Sequence, residues 1–110
     1  MAKKQIEQIE IIIKDYVKAI KARNIRIEKA ILFGSYANGQ ANTDSDIDIA
    51  IISPDLGIDY IEEAVMLKEI SEEIDLNISP RPYSVDECRK ANIGQFLYDE
   101  IISKGKTINT

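Results

Sequence analysis

Two apolar runs, Ala30-Ile31-Leu32-Phe33 and Ile47-Asp48-Ile49-Ala50-Ile51-Ile52, flank Gly34-Ser35 and the polar residues 36–45. This arrangement constrains the fold more than any other part of the chain. Short apolar runs bounded by turn chemistry read as buried strands, so residues 29–33 and 46–52 are predicted strands and 34–45 a loop. Side chains alternate faces along a strand. Asp46 and Asp48 therefore point the same way, while Ile47, Ile49 and Ile51 point into a core.

Two carboxylates side by side at a strand start are a poor device for stability. At about 4 Å they repel by roughly 4 kcal/mol at an effective dielectric of 20. Without a counter-charge the patch destabilises the fold or holds a proton. The pair is well suited to holding a divalent metal ion next to phosphate. Gly34, directly after a strand, lets the backbone turn sharply and approach a ligand. The Ser35 hydroxyl and neighbouring N–H groups are candidates to hold phosphate oxygens.

The remaining elements follow from periodicity. Residues 3–23 carry Ile6, Ile9, Ile12, Ile13, Tyr16, Val17 and Ile20 at helical spacing. Residues 59–73 read as a second helix with Ile61, Ala64, Val65 and Ile70 inward and Glu62, Glu63, Lys68, Glu69, Glu72 and Glu73 solvated. Ile74-Asp75-Leu76-Asn77-Ile78 alternates with period 2 and reads as a third strand, closed by Ser79-Pro80-Arg81-Pro82. On that reading Asp75 joins Asp46 and Asp48 on one non-core face. Ser84-Val85-Asp86-Glu87 has the form of a capping box. A last helix over 95–103 stops at Gly105, and a polar tail follows. The expected order is α-β-β-α-β-α-α: an α/β (α+β) fold with a small mixed sheet and packed helices.

Phe33-Gly34-Ser35, residues 36–45 and Asp46-Ile47-Asp48 resemble the Gly-Ser-x10-Asp-x-Asp pattern of the nucleotidyltransferase superfamily that includes DNA polymerase beta. The length, the first helix and Ile74-Asp75-Leu76 are similar to the minimal nucleotidyltransferases of that superfamily, over residues 1–110 as one domain. The resemblance implies that Gly34 and Ser35 bind a triphosphate. It implies that Asp46, Asp48 and Asp75 hold two Mg²⁺ ions, Asp75 also helping to deprotonate an acceptor hydroxyl. The implied reaction moves AMP from ATP to that hydroxyl. It also implies an antitoxin role, in which the acceptor is a tyrosine of a partner HEPN-type toxin. A non-catalytic antitoxin that neutralises its partner by binding, and a small-molecule transferase sharing a pocket with a second subunit, are the alternatives. Many relatives carry basic residues after the serine, where this chain has Tyr36 and Asn38. Lys29, Arg81 and Lys90 are candidate replacements.

Composition narrows the rest. The chain of 110 residues is 45% hydrophobic and 30% charged, with a net charge of −5, which argues against a long nucleic-acid substrate. No apolar run approaches the roughly 18 residues of a membrane span, and Met1-Ala2-Lys3-Lys4 lacks the apolar core of a signal peptide. A cytoplasmic location is the expectation. There is no histidine, so a general base is a carboxylate before it is Lys, Tyr or Cys. Cys88 is the single cysteine and lacks a histidine partner, so it reads as an incidental thiol. Asp44 to Asp48 imitates a calcium loop, but Ile49 stands where an EF-hand needs glycine. Gly105-Lys106-Thr107 imitates a P-loop end, but Glu100 stands where the earlier glycine belongs.

Overall fold

The structure is a computed structural model that describes residues 5–42 and 44–109. Lys3 and Lys4, at the expected start of the first helix, lie outside the described residues. Helix α1 (Ile6–Lys21) leads into β1 (Lys29–Phe33), a 3-10 turn (Gly34–Tyr36) and β2 (Ile47–Ser53). Then come α2 (Tyr60–Glu72), β3 (Ile78–Ser84), α3 (Val85–Arg89), a π-helical turn α4 (Leu97–Ile102) and β4 (Lys106–Ile108). Among the described residues the strands form one four-stranded sheet, ordered β3-β2-β1-β4. The β2–β3 pair is parallel and the other two pairs are antiparallel.

Period-2 alternation splits the sheet into two faces. Ala30, Leu32, Ile47, Ile49, Ile51 and Ile78 pack with Ile9, Ile13, Tyr16, Val17 and Ile20 of α1 and Leu67 and Ile70 of α2 in the larger core. Tyr16 donates its buried hydroxyl to the Leu67 carbonyl at 2.7 Å and so ties α1 to α2. The opposite face carries Ile31, Phe33, Ala50, Ile52 and Tyr83, covered by Ile101, Leu97, Val85 and Cys88. Asp48 belongs to this second face, across the ladder from Phe33.

Three expectations are corrected. Residues 74–77 are not a strand: α2 ends in a turn, and β3 begins at Ile78 and runs through the prolines. Proline lacks an N–H and sits in a strand only where its nitrogen faces away from the neighbour. Pro80 and Pro82 meet that condition because β3 is an edge strand, and there they also discourage further pairing. The tail after Gly105 is β4, paired with β1. Helix α2 is rotated from its expected setting. Ile70 is buried as expected, but Ile61 is 76% exposed and Val65 is also exposed, while Leu67 and Ser71 face inward beside Ile70.

The rotation of α2 gives Glu63 a task. Its carboxylate accepts the N–H groups of Gly57, Ile58 and Asp59 at 2.7, 3.0 and 3.1 Å. Burial pushes its pKa up, but these bonds outweigh burial and hold it below the usual value. Asp59 caps the helix by accepting from Glu62 N–H. The Ser84–Glu87 capping box forms as expected.

Candidate active site

Strand β1 delivers Gly34 to the end of the sheet at which β2 starts. Gly34 adopts φ +73, and a Cβ built on it runs into the Asp48 carboxylate. Any residue with a Cβ would both strain the left-handed backbone and have to displace that carboxylate. The chain then closes a tight turn. Ala37 and Asn38 donate to the Gly34 carbonyl at 3.1 and 3.0 Å, and Gln40 N–H donates to the Ser35 carbonyl at 2.9 Å. Further on, Asn42 N–H donates to Ser45 Oγ at 2.9 Å, and Asp44 N–H donates to Asn42 Oδ1 at 2.8 Å. These bonds steer the chain into Asp46, one residue before β2.

Asp46 is exposed and Asp48 is half-buried. Burial, and then the charge of Asp46, pushes the Asp48 carboxyl above its usual value, while Arg81 pulls it back. The two aspartates are therefore electrostatically coupled, as their spacing implies. Their oxygen donors suit a hard divalent cation, and such an ion would relieve the like-charge contact.

Asp75 does not join them as a third strand carboxylate. It lies in the α2–β3 turn, where its Oδ1 accepts the Asn77 N–H at 2.8 Å and its carbonyl accepts the Ile78 N–H at 3.3 Å. Among the described residues no three Asp, Glu or Cys side chains are grouped to hold a metal ion. The expectation that a third strand carries Asp75 is corrected: it lies in the turn before β3. Two hydrophilic residues at period 2 within five imitate a strand, but an Asx-type turn uses the same spacing. The turn does abut the site, because Ile47 N–H donates to the Asn77 carbonyl at 2.8 Å. It is pinned by Lys68, whose Nζ donates to the carbonyls of Leu76 and Ile78 at 3.2 and 2.5 Å.

The residues that β3 brings to the Asp48 face are instead Ser79, opposite Asp48, then Arg81 and Tyr83. Phe33, Gly34, Asp48, Arg81, Phe96 and Glu100 line one open cleft. Arg81 was a candidate cation in the sequence, and it is the one that reaches this cleft. Its setting was hidden because Pro80-Arg81-Pro82 reads as a turn. The readable signal was alternation, with Ile78, Pro80 and Pro82 on one side and Ser79, Arg81 and Tyr83 on the other. Lys90 pairs with Asp86 at 3.0 Å. Lys29 lies at the far end of β1, in a separate depression with Cys88 and Arg89. Burial pushes the Cys88 thiol up, Lys29 opposing it, so its nucleophilic form is disfavoured at neutral pH.

Comparisons with known proteins agree with this geometry. The sequence profile of the family described as Polymerase beta, Nucleotidyltransferase matches residues 13–110. A Methanocaldococcus jannaschii protein described as a "putative protein adenylyltransferase" is 50% identical over 50 residues, which are 44% of this chain and 49% of that protein. The match thus spans about half the length of this curated relative. A crystal structure of a toxin–antitoxin with AMP-PNP superposes with a TM-score of 0.61 at 25% identity, covering 91% of this chain and 72% of that one. A mutant of the toxin–antitoxin MntA-HpeT superposes with a TM-score of 0.59 at 22% identity, covering 87% and 71%, and shares the fold. With its glycine turn set against the aspartate of β2 and the family match running over 13–110, the chain belongs to the polymerase beta nucleotidyltransferase family.

Proposed function

We propose that this protein transfers AMP from ATP to a hydroxyl of a partner protein, a tyrosine of a HEPN-type toxin, and thereby acts as an antitoxin. The observation that carries the reading is the contact of Gly34 with Asp48, with Asp46 coupled to the same carboxylate. It brings the glycine turn against one of two hard oxygen donors. Family membership supports the reaction class. The relative described as a protein adenylyltransferase supports a protein acceptor, and the neighbour with AMP-PNP supports an adenine nucleotide.

In this reading Asp46 and Asp48 hold Mg²⁺, which supplies neutralisation of phosphate charge when bound. The turn at Gly34-Ser35 offers N–H groups and a hydroxyl to the phosphate oxygens. The acceptor oxygen attacks the α-phosphorus, the bond to the β-phosphate bridge breaks, and pyrophosphate leaves. With no histidine in the chain, the proton of the acceptor hydroxyl passes to a carboxylate of this pair or to water. Asp75 shapes the adjoining turn.

The test is incubation of the purified protein with Mg²⁺, α-labelled ATP and an extract of its host, beside an Asp46→Ala/Asp48→Ala variant. A labelled protein band that requires both aspartates is expected. Label confined to small molecules would replace the protein acceptor by a small one. Full neutralisation of a bound partner by the double variant, with no labelled band from either form, would overturn the catalytic reading.

A further inference from the structure

The loop that faces the nucleotide in this reading, residues 34–45, contains no lysine or arginine. A triphosphate brings several negative charges into a cleft that already holds Asp48 and Glu100. Lys104 sits 3.5 Å from Glu100 and offsets that charge. Among the described residues that line the cleft, Arg81 is the cation.

Its setting is built rather than incidental. The Arg81 guanidinium carbon lies 4.5 Å from the centre of the Phe96 ring and 6.0 Å from that of Phe33. The two rings meet edge to face, 6.0 Å apart at 82°. Stacking engages the flat face of a guanidinium and leaves its N–H edge directed in plane, the geometry that matches phosphate oxygens. Ala50 is the ladder partner of Arg81. None of the close ion pairs among the described residues involves Arg81; its side chain hydrogen-bonds that of Tyr83 and its charge acts on Asp48 across the cleft. Phe96 stands directly before α4 and lines the cleft.

We propose that Arg81, held over Phe96 and beside Phe33, is the side-chain cation that binds the phosphate chain of the nucleoside triphosphate. This rests on the nucleotidyl-transfer reading. Arg81 touches substrate and counts as a binding residue; Phe33 and Phe96 position it.

The test is calorimetric binding of Mg²⁺–ATP, of AMP and of Mn²⁺ alone to the full chain and to Arg81→Met, Arg81→Lys and Phe96→Leu variants. Methionine keeps an apolar stem against the rings, and thermal unfolding of each variant checks that the fold persists. Arg81→Met is expected to weaken Mg²⁺–ATP at least tenfold and AMP much less. Arg81→Lys falls between, because an ammonium is a point charge and cannot fork. Phe96→Leu, with the charge kept and the stacking lost, is also expected between. Wild-type Mg²⁺–ATP affinity in a folded Arg81→Met variant overturns the assignment. So does tighter Mn²⁺ binding with unchanged ATP affinity, which would make Arg81 only a counter-charge to Asp48. If Arg81→Met does not fold, wild-type affinity in Arg81→Lys and Phe96→Leu overturns it equally. Failure of the wild type to bind Mg²⁺–ATP would instead strike the nucleotidyl-transfer reading itself.

Discussion

Gly34 and Asp48 are in direct apposition: the α-carbon of one occupies the space that the carboxylate of the other leaves open. Replacing Gly34 by alanine forces two adjustments at once. A left-handed backbone costs about 1–2 kcal/mol for a residue with a Cβ, and the new methyl group displaces the Asp48 carboxylate. We expect Gly34→Ala to lose about 1–2 kcal/mol in urea unfolding and to weaken Mg²⁺–ATP binding at least tenfold. A variant with wild-type affinity would show that the glycine serves the turn alone.

Asp48 gives a stability prediction of the opposite sign. Burial and Asp46 raise its folded pKa above the ordinary 3.8. The folded chain therefore favours the protonated form. Wild-type stability falls as pH rises from 3.8 through the raised folded value, and the penalty then stays constant. Asp48→Asn carries no such penalty. In metal-free buffer it is expected to be more stable than wild type at neutral pH by about 0.5–1 kcal/mol, since solvent screens a half-buried group and such gains at functional sites are modest. The difference is expected to close below pH 3.8. Urea unfolding across this range checks both the size and the direction. The same variant is expected to lose Mg²⁺-dependent nucleotide binding.

Asp55 works the other way. Its carboxylate accepts from the Arg26 side chain at 2.7 and 3.2 Å and from the Arg26 backbone N–H at 2.8 Å. The side-chain bonds come first among the causes that hold its pKa down to about 2, against an ordinary 3.8. The pair contributes stability that is present above 3.8 and lost as pH falls through about 2. Asp55→Asn is therefore expected to narrow the stability difference between pH 4 and pH 2. Arg26 is exposed and Asp55 only half-buried, so raised salt is expected to reduce their effect. Acid titrations of wild type and variant at low and high salt would decide the matter.

The sequence carried the centre of the site more fully than its edges. Residues 29–33 form β1 as read, and Ile47, Ile49 and Ile51 point to the core opposite Asp48, because apolar alternation and a bounding glycine are local signals. Asp75 falls in a turn and Arg81 in a strand, against expectation, for a reason that is not local. A proline pair reads as a turn unless the strand bearing it is known to lie at a sheet edge, and edge position is a property of the assembled sheet. Helix α2 was turned about its axis because its apolar residues surround it, so periodicity did not single out a buried face. Lys106 to Ile108 pairs with β1 through a contact distant in the chain, and three residues are too few for a strand period to be read.

Lys68 is the residue whose removal best separates the turn from the carboxylates. Its Nζ donates to two carbonyls of the turn that bears Asp75, those of Leu76 and Ile78. A methionine there fills similar volume but leaves both acceptors without the ammonium. A hydrogen bond from a charged group contributes about 1.5–3 kcal/mol, so Lys68→Met is expected to lose about 1–2 kcal/mol after partial rehydration. The loss is expected to be local first. Amide exchange is expected to rise at Asn77 and Ile78, whose N–H groups donate to Asp75. Exchange at Ile49 and Ile51, in the middle of β2, is expected to change less. Because Ile47 N–H donates to Asn77 in that turn, a loosened turn also frees the start of β2 between Asp46 and Asp48. Mg²⁺–ATP affinity is then expected to fall severalfold with the β2 core intact. Faster exchange spread evenly over β2 would mean that the turn and the sheet unfold as one unit.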